Sequence, residues 1–386
     1  MSTRSVDQII LAITTWLELG NEERTLAALR GWDSDDWALG RKVVFMHGVG
    51  AYLHQCITPT SSLSTAFPAG FRDYLASQFA LNSARIQRVH SLLSAILAQA
   101  SQNGIDVIPL KGSFLSMYRQ LDPRLRPMAD IDLLIRPEDQ PAMRRLLEPF
   151  GYQMKRPKTL FSHHDHYSRP QDRVISWEGE HPDNPLPVEV HTSLRRVLWG
   201  DIYTPDLTAS LWESARPGEI SGQPAWIADT EAHYTYLCLH ALVHFLEHKG
   251  RLMHLLDLAR LAPYIPDFSR LSHAGLIYPV VRLASRALPG AFEGVDLSRM
   301  ADLASEGVRC WADYTALDGR CGLNNQRSPQ RPSWIAGRWA FWHPTLIRLA
   351  LAYPGTPLPI ATLAVLGRFV HHLVKRVVNL PLGKGI

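Results

Sequence analysis

Two aspartates, Asp130 and Asp132, interrupt the apolar run DIDLLI and constrain the fold more than any other feature of the sequence. Alternate residues of a β-strand share a face, so both carboxylates point to one side of such a strand. Ile131, Leu133 and Ile135 point to the other side and can enter a core. Two carboxylates this close repel each other unless a cation lies between them, which suits a hard divalent ion such as Mg²⁺. The alternative is an exposed edge strand with two solvated acids.

The later segment LPVEVHTSL repeats this alternation of polar and apolar residues. Glu189 and His191 share one strand face, whereas Val188 and Val190 share the other and can enter the core. If this strand lies beside DIDLLI, Glu189 completes a group of three carboxylates. Three acids can hold two Mg²⁺ ions about 4 Å apart for a displacement at phosphorus.

The segment IDVIPLKGSFL reads as a strand that continues into a helix through Lys111, Gly112 and Ser113. A glycine at such a turn lets the backbone approach a ligand closely. The first N–H groups of the helix attract a phosphate, and Ser113 can cap the helix and offer a hydroxyl. Many strand-to-helix turns have this composition, so the turn alone predicts no function.

The spacing of apolar residues divides the chain into three parts and predicts an α+β fold. Residues 1–104 read as an N-terminal helical region, and residues 230–386 as a C-terminal helical domain. Residues 105–229 contain the runs IDVIPL, DIDLLI, RVISWEG and LPVEVHTSL, which are typical of strands, and the helical segment PEDQPAMRRLLEPFGY. We therefore expect a small mixed-sheet core, 105–229, set between two helical segments.

Charge and cysteine content limit the possible compartments and partners only loosely. The 386 residues carry a formal net charge of +4, which permits nucleic acid as a partner without requiring it. The four cysteines form no CxxC pair, as is typical of free thiols in the cytoplasm. Prolines interrupt the uncharged stretch 349–367, so we expect no transmembrane segment. The basic helix that follows is expected to pack on the protein, with weak membrane-surface contact as the alternative.

The turn, the aspartate pair and the third acid resemble the hallmark of the nucleotidyltransferase superfamily of DNA polymerase β. A closer resemblance is to a bacterial family of uncharacterised nucleotidyltransferases, which carries the motifs LKG, RPMxDIDLLV, GY and vEvHw in this order. The matching residues here are 110–112, 126–128, 130–135, 151–152 and 188–191. The resemblance covers roughly residues 85–300 and implies a nucleotidyltransferase core.

The resemblance implies transfer of a nucleoside monophosphate from an NTP to an acceptor, with Mg²⁺ or Mn²⁺ as the cofactor. Asp130 and Asp132 would hold both metal ions, and Glu189 would complete one metal site and help to deprotonate the attacking group. The residues assigned to nucleotide binding are Lys111, Gly112, Ser113 and Arg126. Of these, the Gly-Ser pair would cradle phosphates, and the two cations would neutralise developing charge. Solvated loop cations are the alternative for those two.

This chain departs from the family pattern at two points. Sixteen residues separate Ser113 from Asp130, more than in most of the superfamily, and Thr192 stands where the close family often has an aromatic residue. The acceptor is not indicated: a small molecule, a peptide, a protein side chain and an RNA 3′ end all fit. A second function class is a catalytically inactive binding or scaffold protein with the nucleotidyltransferase fold. A plain helical interaction protein would leave the three acids unexplained.

The segment SHHDHYSRP contains three histidines and an aspartate that invite a zinc interpretation. In an extended segment, however, His164 and His166 point away from the side that carries His163 and Asp165. We therefore expect these histidines to line the active-site face of the sheet and not to bind a transition metal.

The segment HALVHFLEHK carries histidines four residues apart, which places them along one stripe of a helix. We expect this stripe to form a substrate-facing wall, with packing against the α/β core as the alternative. The residues assigned to this wall are His191, His240, His244, Arg251 and Asp257.

Overall fold

A computed structural model of the chain describes residues 4–17, 22–57, 63–115, 122–156, 164–176, 181–199, 202–246 and 249–304, and a few positions beyond (308–309, 312–313, 360, 363 and 367). The α-helices of this part are α1 (Val6–Leu17), α2 (Glu22–Leu29), α3 (Ser34–His47), α4 (Gly50–Cys56), α5 (Leu63–Ala66), α6 (Ala69–Gln102), α7 (Lys111–Leu115), α8 (Gln140–Leu147), α9 (Thr208–Ser214), α10 (Thr230–Leu246), α11 (Leu252–Leu261), α12 (Ala274–Ala287) and α13 (Ser298–Asp302). The strands are β1 (Val107–Pro109), β2 (Ile131–Ile135), β3 (Gln153–Arg156), β4 (Asp165–Ser168), β5 (Val188–His191), β6 (Val197–Trp199), β7 (Ile202–Tyr203), β8 (Arg216–Ile220) and β9 (Gln223–Ile227).

Five of these strands form one mixed sheet in the order β1-β2-β5-β4-β3. β2 pairs antiparallel with β1 and parallel with β5, and β5, β4 and β3 pair antiparallel in turn. In the parallel pair, Asp132 lies beside Glu189 and Ile131 lies beside Val188. The prediction of an α+β fold with a mixed sheet between helical segments is therefore confirmed.

The apolar face of the sheet packs against the long helix α6. Ile131, Leu133 and Ile135 are fully buried there, as the alternation of the sequence predicted. Val188 and Val190 join the same cluster from β5. Each such side chain contributes roughly 1.5 to 3 kcal/mol when it is fully removed from water. Since a shift by one residue would turn all five to the face that carries Asp132 and Glu189, and those acids into the apolar cluster, this burial fixes the register of β2 and β5.

A second apolar core joins the helices before the sheet to the helices after it. It contains Ile13 of α1, Val44 of α3, Leu255 of α11 and Ile277 of α12, all of them buried. Leu134 reaches this core from the opposite face of β2. The sheet is therefore covered on both sides, and its polar side chains lie in the interior. The domain boundaries after residues 104 and 229 remain predictions.

Some elements differ from the sequence prediction. Residues 173–176 of RVISWEG form no strand, and the remainder of that run lies outside the described residues. The sheet is completed by β3 and β4 instead. β8 and β9 form a separate hairpin, whose turn residues Ser221 and Gly222 both have positive φ. Of the predicted basic C-terminal helix only positions 360, 363 and 367 are described, and these three are helical. Among those that are described, no helix is both long and apolar enough to cross a membrane.

His47 on α3 gives the fold a dependence on pH. Its Nδ1 accepts a hydrogen bond from the backbone N–H of Leu252 at 2.9 Å, which joins α3 to α11. Burial, and then the charge of Arg251, lowers the pKa of His47 from 6.5 to about 3. Above pH 6.5 the imidazole is neutral in the folded and the unfolded chain. As the pH falls below 6.5, only the unfolded chain binds this proton, so the free energy of unfolding falls by about 1.4 kcal/mol per pH unit.

The substitution His47→Gln should remove this contribution, because the amide oxygen can accept the Leu252 hydrogen bond and does not titrate. We expect variant and wild type to differ little at about pH 8, and the variant to lose about 2 kcal/mol less than wild type on acidification to about pH 5. Urea unfolding at both pH values measures the difference. Equal acid sensitivity of the two proteins would contradict a buried neutral imidazole at this position.

Candidate active site

The three predicted acids converge at the start of the parallel strand pair. Asp132 and Glu189 are register partners on β2 and β5, and Asp130 directly precedes β2. Asp132 is 1 % exposed. Its backbone N–H donates to Oγ of Ser113 at 3.0 Å, and its carbonyl accepts from Leu110 N–H at 3.0 Å. These bonds fix the strand that carries the aspartates against the turn that follows β1.

Lys111 supplies the cation that two neighbouring acids require. Its Nζ lies 2.6 Å from Oδ1 of Asp132 and 3.8 Å from Oε2 of Glu189. Burial opposes the charge of this ammonium, but Asp132 and the other acids hold its pKa above the usual range. The backbone of Lys111 has φ of 45°, a left-handed conformation that is strained for a residue with a side chain. The turn therefore holds the buried ammonium of Lys111 beside the acids at some cost in backbone strain.

Three histidines hold the carboxylates from the other side. His191 is fully buried, and its Nε2 lies 3.0 Å from Oδ1 of Asp132. Burial is the main cause that lowers the pKa of His191 to about 4, so the neutral ring donates to the carboxylate. Nε2 of His164 and Nδ1 of His166 lie 3.2 and 3.8 Å from Oε1 of Glu189. The predicted lining of the sheet face by His164 and His166 is thus observed, whereas His163 lies outside the described residues.

This environment raises the pKa of Asp130 and lowers the pKa of Glu189. Burial, and then the charges of Asp132 and Glu189, raises the pKa of Asp130 to about 7. Burial opposes ionisation of Glu189 too, but hydrogen bonds from His164 and His166 and the charge of Lys111 hold its pKa well below the usual range. The carboxyl group of Asp130 is therefore partly protonated near neutral pH, and a bound divalent cation would take the place of that proton. Such a set of oxygen donors suits a hard divalent cation.

Arg126 and Gly112 occupy the other side of the Lys111 turn. The Arg126 guanidinium binds both carboxylate oxygens of Asp257 on α11, with Nε and Nη2 at 2.9 and 2.8 Å. A Cβ added to Gly112 would lie 2.2 Å from Nη1 of Arg126. The glycine therefore makes room for this ion pair, which joins the sheet to the C-terminal helices. This is a different reason for glycine from the close ligand approach that the sequence suggested.

Ser113 does not cap the helix after β1. α7 begins at Lys111, so Ser113 is its third residue, and its buried hydroxyl accepts from the Asp132 N–H. The capping prediction is wrong because the helix begins at Lys111, three residues before the start that a cap at Ser113 would give. The serine instead positions the strand that bears the acids.

Arg85 on α6 is a positioning residue that the sequence did not single out. Its side chain is 1 % exposed and binds four backbone carbonyls. Two belong to Met128 and Ala129, before β2, at 3.1 Å each. The others belong to Asn184 and Pro185, before β5, at 2.5 and 2.7 Å. The only signal in the sequence was an arginine on the apolar side of a long helix.

The predicted substrate wall separates into three environments. His191 is fully buried and its ring binds Asp132, so it lies among the acids, and its assignment to the wall remains a prediction. Asp257 is 3 % exposed and is bound by Arg126. The other three members are His240 and His244, which lie half-buried on α10, and Arg251, which is exposed before α11. His248, from the same stripe, lies outside the described residues.

Comparisons with known proteins identify relatives of this chain. Residues 33–271 match a family described as uncharacterised nucleotidyltransferases. No curated protein sequence matches the chain. One similar solved structure is the antibiotic-resistance factor ANT(2″)-Ia, with 15% identity and a TM-score of 0.29 over 47% of this chain and 85% of that one. Another is an antigenic nucleotidyltransferase-like protein from Paracoccidioides brasiliensis, with 14% identity and a TM-score of 0.33 over 56% and 93% of the two chains. Scores this low carry no functional comparison.

The substitution Arg85→Lys tests the positioning role of the guanidinium. Lysine keeps the charge but cannot reach four carbonyls with a rigid fork of donors. We expect the free energy of unfolding to fall by about 2 to 4 kcal/mol, and backbone amides of β2 and β5 to exchange faster with solvent. Arg88→Lys, on the same helix, serves as the control and should cost less than about 1 kcal/mol. Unchanged amide protection in Arg85→Lys would contradict the positioning role.

The substitution Lys111→Met tests whether the ammonium compensates the acids. Without it, repulsion among the carboxylates should lower the free energy of unfolding in EDTA. Added Mg²⁺ should then stabilise the variant more than the wild type, because no ammonium competes for Asp132 and Glu189. Urea unfolding with and without Mg²⁺ measures both effects, and the exposed Lys155→Met is the control. Equal Mg²⁺ stabilisation of variant and wild type would count against competition at this site.

Proposed function

The chain belongs to the family of uncharacterised nucleotidyltransferases, and we propose that it transfers an NMP from an NTP to an acceptor in a reaction that depends on Mg²⁺ or Mn²⁺. One observation carries this proposal. Asp132 and Glu189 lie side by side on parallel strands, with Asp130 two residues before Asp132. The order of turn, aspartate pair and third acid also supports membership of the superfamily of DNA polymerase β.

The donor set fits a divalent cation. Asp132 and Glu189 offer carboxylate oxygens within 4.8 Å of each other, and Asp130 adds a carboxylate just before β2. Oxygen donors of this kind suit Mg²⁺ or Mn²⁺. We assign Asp130, Asp132 and Glu189 as the residues that would hold it. A bound divalent cation would supply neutralisation of phosphate charge in the transition state.

The chain's own residues would perform the remaining tasks. Lys111, if a divalent cation took its place at Asp132, would be available to bind a phosphate group of the NTP. The backbone of Gly112 and Ser113 follows it in the same turn and is assigned to phosphate binding. Arg126 contributes positive charge behind the glycine, although it is already paired with Asp257. Glu189, whose pKa is held low, stays ionised and is a weak base by itself, so its help in deprotonating the attacking group would depend on the metal that it holds.

A catalytically inactive scaffold is the second candidate, and one observation favours it. The ion pair between Lys111 and Asp132 satisfies the aspartate without any bound metal. In an enzyme this ammonium must move when the metal binds, whereas in a scaffold it can stay. Metal-dependent NTP binding without transfer to any acceptor would support the scaffold.

The proposal also concerns the cellular compartment and the acceptor of the reaction. Cys56 and Cys238 are free thiols, which supports action in the reducing cytoplasm. The acceptor remains one of four classes: a small molecule, a peptide, a protein or an RNA. The surface contact of the C-terminal residues with a membrane also stays a prediction.

The substitution Asp132→Asn is the sharpest test of the proposed function. Asparagine has nearly the same size, but its uncharged amide is a much poorer ligand for Mg²⁺. In wild type, Mg²⁺ with an NTP should raise the free energy of unfolding by about 2.7 kcal/mol when free ligand exceeds its Kd a hundredfold. We expect the variant to lose this metal-dependent stabilisation and all transfer of label from an α-labelled NTP to an acceptor in a cell lysate.

The control for this experiment is Asp106→Asn, which removes an acid next to β1 that pairs with Arg136. It should keep the metal-dependent stabilisation. Equal stabilisation of the wild type with and without Mg²⁺ would count against binding of the triphosphate through a metal. Near-normal transfer by Asp132→Asn would remove Asp132 from the metal site.

A further inference from the structure

Three histidines that the proposed chemistry does not use lie together on the C-terminal helices. His240 and His244 belong to α10 and His254 belongs to α11, and all three are half-buried. Their ring centroids lie 4.5 to 5.6 Å apart. One ring nitrogen from each lies within 4.8 Å of the other two. By distance alone, this histidine cluster could hold either a transition metal or an anion.

Hydrogen bonds fix which ring nitrogens carry protons. Nη1 of Arg196 lies 2.9 Å from Nδ1 of His240, and a guanidinium can only donate. The backbone N–H of Arg251 likewise donates to Nδ1 of His254 at 3.1 Å. In both imidazoles the Nδ1 lone pair is therefore occupied, and the proton of the neutral ring must lie on Nε2.

The surroundings keep these rings neutral. Burial is the main cause that holds the pKa of His240 and His254 well below the usual range, and nearby positive charge lowers both further. Burial and the charges of Arg196 and Lys111 lower the pKa of His244 to about 3. A neutral ring whose Nδ1 accepts and whose Nε2 carries hydrogen offers no lone pair to a metal. His240 and His254 are thus donors and not metal ligands.

The electric field at the cluster also favours an anion. Apart from the histidines themselves, the charged groups that act most strongly on its members are cations, and Lys111 acts on all three. Because Lys111 also binds Asp132, the same ammonium acts on the cluster and on one of the proposed catalytic acids. Positive charge combined with imidazole N–H donors binds oxyanions and repels metal ions.

We propose that His240, His244 and His254, with Arg196 behind them, form an oxyanion subsite for a phosphate or carboxylate group of the acceptor substrate. The assignment to the acceptor rests on the proposed function. The triphosphate of an NTP reaches the enzyme with a divalent cation, which the three acids suit. A subsite built from donors and cations suits an anionic group that arrives without a metal. The acceptor class is therefore an anionic molecule.

Imidazole NMR of the full chain labelled with ¹⁵N-histidine tests the subsite without nucleotide. We expect His240 and His254 to show the tautomer with hydrogen on Nε2, assigned by single His→Gln variants. Inorganic phosphate, and acetate in a second arm, should shift the signals of the three cluster histidines and leave His54 unchanged. Chloride at equal ionic strength is the control. The opposite tautomer at His240 and His254, or no shift with either oxyanion, would overturn the proposal.

Two variants measure the contribution of the donors and the cation. His244→Phe keeps a ring of similar shape and loses one donor, so it should weaken phosphate binding about tenfold. Arg196→Gln should weaken binding as well, because it removes the positive charge. His54→Phe is the matched control and should bind phosphate as wild type does. If His244→Phe does not fold, His244→Leu, which also lacks a donor, provides the comparison under the same titration. Unaltered affinity in both the His244 and Arg196 variants would overturn the assignment.

Two further arms separate the ligand sources. Zn²⁺ binding to wild type at one equivalent, lost in His244→Phe, would overturn the proposal in favour of a metal site. A non-hydrolysable NTP with Mg²⁺ should leave phosphate bound at the cluster. Displacement of phosphate would assign the cluster to the triphosphate and overturn its assignment to the acceptor. Phosphate binding that persists while metal-dependent NTP binding fails would contradict the proposed function. The oxyanion subsite would then be kept, but its assignment to an acceptor substrate would be lost.

Discussion

The buried guanidinium of Arg85 is the interaction on which the geometry of the site depends. It binds backbone carbonyls from the two segments that lead into β2 and β5, and these strands carry the three acids. The charge is costly to bury, but the carbonyl oxygens replace its lost water contacts. One rigid group holds both segments, and the parallel pairing of β2 and β5 places Asp132 directly beside Glu189. The acids are therefore held by the scaffold and not by each other.

Charge compensation explains why such a concentration of acids is tolerated. Lys111 reaches Asp132 and Glu189, while His164, His166 and His191 bind carboxylate oxygens of the same two acids. The ion pair between Arg126 and Asp257 secures the turn that carries Lys111, since Gly112 leaves room only for that guanidinium. Sheet and C-terminal helices are thus joined at the point where the proposed chemistry takes place. A ligand that changes the charge at the acids would therefore change the electrostatic environment of the C-terminal helices α10 and α11.

Much of the sheet could be predicted from the sequence because the side-chain period of a strand is local. The alternation in DIDLLI and LPVEVHTSL predicted both apolar faces, and Ile131 and Val188 are buried as expected. The strands β3 and β4 were missed, because their short polar segments carry no clear alternation. The role of Ser113 was also misjudged, since a cap and a side chain that accepts from another strand look alike in sequence.

The local pattern of the sequence was enough to predict that Asp130 and Asp132 share a face, that Glu189 faces away from two valines, and that helical segments flank the sheet. The folded arrangement, by contrast, decided that Lys111 neutralises Asp132 and that Arg126 pairs with Asp257, 131 residues away. It likewise decided that Arg85 holds Pro185, 100 residues away. Periodicity is a property of neighbouring residues, so a single chain displays it. Pairing between residues so far apart in the sequence depends on how the whole core packs. A local pattern therefore cannot predict which distant group will pair with a buried charge.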